Sequence, residues 1–304
     1  MVVMRSVMYT PGNNYRMIQK MPSLNADVLV ADLEDTIPPD EKETARFIVR
    51  DAIPDIAKSG AQVYVRINDW RTGLTVDDLE AIVQDGLDGV VLAKTEGAED
   101  VTKLDAKLTE LEKERGLKPG TVAIQLLIET AKGVILAYEA AVASKRVNSL
   151  VFGAVDYTRD MRVRLTPVGE EIFTSRCWTA VAARAAGHIA IDPPYPSLQD
   201  KEGFLKDSLA GRQLGFEGRM LIHPNQIEPS HEAYAPNEEQ GAYAREVKEV
   251  FEQALSEGKA SIALRGQMID VAVYRTQMDV LAAAEAVEQW IKDKAERKQL
   301  RESS

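Results

Sequence analysis

Cysteine is almost absent from this sequence. A single one, Cys177, cannot close an intrachain disulfide, and it excludes a cysteine-based zinc site. It falls in a helical run, where it reads as a structural thiol rather than a nucleophile. No apolar stretch approaches the roughly 18 residues of a membrane span. The segment 1–9 lacks the charged, apolar, small-residue order of a secretory signal, so a cytoplasmic protein is expected. Basic excess is missing too. Forty-eight acidic residues face 37 basic ones, a net charge of −11, which excludes general nucleic-acid binding through phosphate neutralisation. An anionic ligand is still accommodated where basic residues gather locally. There is no tandem repeat. What the 304 residues do hold is 45% hydrophobic side chains, enough for one large domain or two ordinary ones.

Eight short apolar runs alternate with helical patterns, at 6–10, 27–32, 62–68, 89–94, 122–128, 150–156, 188–192 and 219–224. Runs so uniformly apolar suit parallel strands buried on both faces. Eight of them with intervening helices describe an α/β fold of the (β/α)8 TIM barrel type. Helices are expected at 41–57, 169–186 and 202–214, with one long or two short ones between 96 and 117. The barrel domain is assigned to 1–232 and a C-terminal helical extension to 233–304. In the extension, 237–257 reads as a charged helix, 258–266 as a turn or short hairpin, and 267–297 as a long alanine-rich helix. A tail of this size is more than a barrel needs, and it is expected to pack on another subunit or across the barrel mouth.

Charged residues at the ends of the apolar runs carry the chemistry. Glu129 ends the fifth run and Asp156 the sixth. If the runs are neighbouring parallel strands, both carboxylates meet at one end of the sheet, where such folds hold a hard divalent cation. Spacing alone leaves helix capping or ion pairing equally open. Arg66 sits inside the third run and needs an anionic partner, from the protein or from a substrate, because an unpaired buried guanidinium is costly. Asp32, Glu34 and Asp35 form an acidic cluster for which helix capping and solvation are open, and at least one of the three is expected to do only that. Asn14 is placed to cap a helix bearing Arg16 and Lys20 one turn apart, on a face that solvation alone would explain. His223, before Pro224, either lines a site or bonds the loop backbone. Arg159, Arg162 and Arg164 read as loop and interface charges. Asp270 is placed to cap the last helix.

Seven stretches occur in one order along nearly the whole chain: Tyr9-Thr10-Pro11-Gly12-Asn13, Asp32-Leu33-Glu34-Asp35, Arg66-Ile67-Asn68, Ile128-Glu129-Thr130-Ala131, Phe152-Gly153-Ala154-Val155-Asp156, Ile222-His223-Pro224-Asn225-Gln226-Ile227 and Gly266-Gln267-Met268-Ile269-Asp270. With them the chain resembles the citrate lyase beta subunit and the related malyl-CoA and citramalyl-CoA lyases. The resemblance implies a TIM barrel that cleaves a carbon–carbon bond in a 3-hydroxyacyl thioester of malyl, citramalyl or citryl type. The products are acetyl-CoA or a homologue and a 2-oxo acid. It implies Glu129 and Asp156 as Mg2+ ligands and Arg66 as the residue holding the 2-oxo acid. Asp270 becomes the catalytic acid/base, supplied by a neighbouring subunit of a trimer or hexamer. Tyr9, Arg16 and Lys20 match the region that receives CoA, with Lys42 as a further basic candidate, and Ile222 and His223 line the site. The family's proline before the lysine of the fourth strand is replaced here by Ala93, ahead of Lys94. Such chemistry suits Mg2+ bound by two carboxylates and waters, an always-charged guanidinium fork and a semi-buried carboxylic acid.

Two other readings share the scaffold. One is a thioesterase acting on the same CoA esters. The other is a beta subunit of a citrate lyase complex that acts on a thioester carried by an acyl carrier protein. A pyruvate-type aldolase acting on unesterified acids is disfavoured, since it has no need of Arg16 and Lys20.

Overall fold

The computed structural model describes residues 2–166 and 168–302. They cluster into two compact units. Of these, one unit takes in the described residues of 4–234 together with 296–302; the other is 235–295 with Val2 and Val3.

In the larger unit eight parallel strands close a barrel in chain order: β1 (Ser6–Pro11), β2 (Val28–Asp32), β3 (Gln62–Ile67), β4 (Gly89–Leu92), β5 (Ala123–Ile128), β6 (Val147–Phe152), β7 (Ile189–Asp192) and β8 (Gly218–Leu221), with β8 pairing back to β1. Each coincides with one of the eight apolar runs. Around them lie α1 (Tyr15–Lys20), α2 (Lys42–Ala57), α3 (Thr75–Ile82), α4 (Ala98–Glu114), α5 (Ala131–Ile135), α6 (Ala137–Ala141), α7 (Ala154–Asp160), α8 (Glu170–Ala186), α9 (Lys201–Gln213) and α10 (Ile227–Tyr234). A single helix, α4, fills the 96–117 interval. None of the described helices is long and apolar enough to cross a membrane.

Period-two alternation divides the strand side chains between two cores. Val7, Tyr9, Val28, Val30, Tyr64, Val91, Leu127 and Val151 fill the barrel interior. Met8, Leu29, Ala31, Val65, Ile67, Leu126, Ile128 and Phe152 pack outward with the helices. Gly89 opens β4 because Tyr64, its register partner on β3, lies across it. A Cβ at Gly89 would stand 2.4 Å from that ring.

Three expectations need correcting. The sixth strand ends at Phe152 rather than running to Asp156. Gly153 interrupts it, and Asp156 lies in the first turn of α7. The eighth ends at Leu221, before His223, and α10 follows where no helix was anticipated. In the smaller unit, Gln267–Ile269 is a strand (β10) and not the start of a helix. It pairs antiparallel with β9 (Ile262–Leu264) after a capped helix, α11 (Glu238–Ser256). The turn explains this. Arg265 and Gly266 both take positive φ, 50° and 79°, as a two-residue hairpin loop demands. The last helix, α12 (Val271–Glu302), starts only after Asp270. Val247, Phe251 and Ile269 form this unit's own small core, with Tyr274 stacked on Phe251 at 5.0 Å.

Candidate active site

The alternation that sends Val30, Tyr64 and Leu127 into the barrel also turns Asp32, Arg66 and Glu129, two residues further on, toward the axis at its carboxyl-terminal rim. Asp32 and Arg66 are register partners on β2 and β3. Arg66 Nε and Nη2 donate to the two oxygens of Asp32 at 2.6 and 2.5 Å, and Nη1 lies 3.1 Å from Glu34 Oε2. The anionic partner that Arg66 required is therefore protein carboxylate. Two of its five N–H groups donate to Asp32 and Nη1 is ion-paired with Glu34, and the remaining N–H groups have no other protein partner among the described residues. Burial works against the guanidinium's charge, but Asp32, Glu34 and Glu129 outweigh it and keep Arg66 firmly cationic. Asp32 is likewise penalised by burial and still held below the ordinary carboxylate range, mainly by Arg66.

Two members of the acidic cluster after β2 do more than cap and meet solvent, while Asp35 is half exposed. Asp32 and Glu34 are 0% and 2% exposed. Asp32 also accepts from Glu34 N at 2.9 Å and from Thr36 Oγ1 at 2.6 Å. Lys94 closes the group from β4. Its ammonium bonds Glu34 and lies 3.1 Å from Asp35, while its backbone N–H donates to Glu129 Oε1 at 2.9 Å. Serving both ends puts Lys94 at φ 47°, a conformation costly for a side-chain-bearing residue. The replaced proline has not cost the site this charge. Asp32, Glu34 and Lys94 were not singled out as site residues from the sequence. The available signal was Arg66 itself, a buried cation that had to be matched.

Glu129 is 2% exposed. Burial above all, with Glu34 and Asp156 adding and Arg66 and Lys94 opposing, pushes its carboxyl up to about 8. Asp156 is raised too, by burial and then by Asp35. Its one ion-pair partner among the described residues is Arg159 at 3.5 Å, which is largely exposed and holds it weakly. Gly153 makes the arrangement possible. It follows Phe152, the register partner of Ile128, so it lies beside Glu129. A Cβ there would stand 2.6 Å from both Cβ and Oε2 of Glu129.

These residues suit a hard divalent cation. Glu34 and Asp156 raise Glu129, Asp35 raises Asp156, oxygen is the donor type Mg2+ prefers, and among the described residues the Glu129 side chain accepts one hydrogen bond, at Oε1. Among the described residues no three His, Cys, Asp or Glu side chains form a ready-made metal cage. A metal held here would rest on Glu129 and Asp156, completed by water and ligand oxygens.

The other anticipated residues separate into groups. Arg16 and Lys20 are exposed on α1, whose N-cap is Asn14, its side chain accepting from Met17 N at 3.2 Å. Tyr9 does not join them: it is buried in the barrel with its ring 5.5 Å from the Arg66 guanidinium. Lys42 is unsuited to meeting CoA, because its ammonium is bonded by Leu33 O, Glu34 O and Asn68 Oδ1, each at 2.8 Å. His223 bonds the loop, as one of its two readings had it. Its Nδ1 accepts from Asn225 N at 3.2 Å. Ile222 is 41% exposed. In the smaller unit Asp270 caps α12, accepting from Val273 N at 2.9 Å.

Comparison with known proteins is consistent with this geometry. The family model described as HpcH/HpaI aldolase/citrate lyase matches residues 5–224. Over 281 residues the chain is 37% identical to the citrate lyase subunit beta of Escherichia coli (strain K12), covering 92% of this chain and 93% of that protein. It is 29% identical over 301 residues to the L-malyl-CoA/beta-methylmalyl-CoA lyase of Rhodobacter capsulatus, covering 92% and 94%. Among solved structures, the Mycobacterium tuberculosis protein CitE in complex with magnesium, acetoacetate and coenzyme A superposes with a TM-score of 0.74 at 28% identity, covering 92% of this chain and 97% of that one.

Proposed function

This chain belongs to the HpcH/HpaI aldolase/citrate lyase family, and we propose on that premise that it is a Mg2+-dependent carbon–carbon lyase. It cleaves a 3-hydroxyacyl-CoA thioester into acetyl-CoA, or a homologue, and a 2-oxo acid. One observation carries the reading. Glu129, its carboxyl raised by burial above all and then by its acidic neighbours, shares the barrel rim with Asp156 and with a guanidinium fixed by Asp32. The lyase relative and the magnesium- and CoA-bound structure support the substrate class and the metal.

Glu129 and Asp156 would hold the ion, which supplies Lewis acidity and a template for neighbouring oxygens. Arg66, clamped on one side by Asp32 and Glu34, turns its free N–H groups to the 2-oxo acid and stabilises negative charge on its oxygens without having to reorganise. Lys94 holds Glu34 and Asp35 and keeps Glu129 oriented through its backbone N–H. Asp270, on the short segment between β10 and α12, is assigned the proton transfer at the enolate carbon. In this reading it acts in the site of a neighbouring copy, within a cytoplasmic trimer or hexamer. Arg16 and Lys20 receive the CoA phosphates.

The test is a panel of malyl-, citramalyl- and citryl-CoA esters incubated with Mg2+. Acetyl-CoA and a 2-oxo acid appear together, EDTA stops their release, and Mg2+ restores it. Early release of free CoA instead identifies a thioesterase. A second reading draws on the 37% identity to a citrate lyase subunit beta: a subunit acting on a carrier-protein thioester. Turnover of soluble CoA esters by the purified chain excludes it.

Asp270→Asn provides a sharper check. Asparagine caps a helix as well as aspartate does, so melting temperature stays unchanged while kcat falls by roughly 10²- to 10⁴-fold. Full turnover by that variant removes Asp270 from the reaction. Replacing Arg16 and Lys20 together by alanine raises KM for the CoA ester about tenfold. It leaves kcat nearly unchanged, and the difference shrinks at high salt. An unchanged KM at low salt places CoA elsewhere.

A further inference from the structure

We propose that the hydroxyl of Tyr9 is a hydrogen-bond donor of this site, kept for an oxygen acceptor that arrives with the bound metal or the 2-oxo acid beside Arg66. The inference rests on the lyase reading and adds to it a positioning residue for the 2-oxo acid end of the substrate, away from the CoA end.

Tyr9 is 7% exposed and its hydroxyl oxygen is buried with no hydrogen-bond partner. Two other buried side-chain atoms among the described residues share that condition, on Arg46 and Gln125. Both of those side chains are tied down by other atoms: Arg46 Nε donates to Asp78 at 2.7 Å, and Gln125 Nε2 to Ser149 at 2.8 Å. Tyr9 has one polar atom only, and nothing holds it. The neighbouring inward tyrosine shows the contrast, for Tyr64 Oη accepts from Asn148 Nδ2 at 2.7 Å. Phenylalanine would fill the same apolar space at Tyr9 without a stranded donor. A buried hydroxyl left unpaired is unfavourable, and it persists where a ligand satisfies it.

The position of the ring says which ligand. Tyr9 stands on β1 with its ring 5.5 Å from the Arg66 guanidinium. The charges that act on the phenol are those of Arg66, Asp32, Glu129 and Glu34, the groups of the site itself. Asp32 is no partner for it: its oxygens already accept from Arg66, Glu34 N and Thr36. Burial above all keeps the phenol protonated, so it donates and does not act as a base. A donor beside a guanidinium matches an oxygen acceptor, either the carboxylate or carbonyl oxygen of a 2-oxo acid or a water on the metal.

Tyr9→Phe tests this by calorimetry, apart from turnover. Mg2+ is titrated alone; glyoxylate, pyruvate and oxaloacetate are titrated in the presence of Mg2+; CoA is titrated alone. The variant keeps or raises its melting temperature, since the ring is retained. Affinity for a 2-oxo acid falls about tenfold and CoA affinity does not change. A fall already present with Mg2+ alone identifies the acceptor as water on the metal, and a fall confined to the 2-oxo acid arm identifies the acid. Equal affinities of variant and wild type in every arm, or a loss confined to CoA, overturn the proposal. If the wild type binds no 2-oxo acid at all with Mg2+, the lyase reading fails and this inference fails with it.

Discussion

Glu129→Gln abolishes Mg2+-dependent cleavage while leaving the fold intact. A bound metal's charge stabilisation is worth several kcal/mol in a transition state, so loss of the proposed ligand is expected to lower kcat by roughly a thousandfold. A purely structural acid would behave otherwise. The glutamine oxygen still accepts from Lys94 N, the bond that Glu129 Oε1 makes at 2.9 Å. The native carboxyl has been pushed from 4.5 up to about 8, chiefly by burial. A carboxyl raised in this way disfavours folding of the metal-free protein once pH exceeds the unfolded value, with the penalty growing until about 8. Removing the charge therefore leaves the melting temperature of the metal-free protein at pH 7 unchanged or higher. A drop of several degrees together with residual activity would assign Glu129 a structural role.

Arg66→Ala has the opposite signature, because it strikes fold and chemistry together. Asp32 and Glu34 are almost wholly buried; Asp32 depends on this guanidinium for its compensation, and Glu34 shares it with Lys94. Breaking a buried pair from one side leaves an unpaired charge and costs about 3–5 kcal/mol. Urea denaturation is expected to show that loss, and 2-oxo acid binding to disappear. Arg66→Lys recovers part of the stability by restoring a charge, but it does not recover the binding, since an ammonium cannot hold Asp32 with two parallel bonds and still offer a fork to a ligand. Equal stability of Arg66→Ala and wild type contradicts the account of the Asp32–Arg66–Glu34 group.

What the sequence disclosed follows from the range of the forces involved. Strands buried on both faces need nearly continuous apolar residues, so all eight barrel strands were legible as runs such as 27–32 and 122–128. The end of the 122–128 run also marked Glu129 as a residue of the barrel rim. Asp156 was legible as an acid near a strand end but not as a first-turn helix residue, because the break depends on Gly153 yielding space to a side chain on the neighbouring strand. The bonds of Lys42 to three oxygens of the loops after β2 and β3 are equally invisible in a linear reading. So are the left-handed turn at Lys94 and the unpartnered Tyr9 hydroxyl. Each arises from contacts across strands, not from local propensity. The hairpin at 262–269 was partly legible, since Gly266 marks a turn. Its second strand was absorbed into the helical pattern that follows, because three residues are too few to reveal a period.

Calorimetric titration of the metal-free protein with Mg2+, for wild type, Glu129→Gln and Asp156→Asn, addresses the central claim most directly. The account predicts a single ion bound per chain in the wild type and none in either variant. Wild-type binding that survives both substitutions unchanged would contradict it.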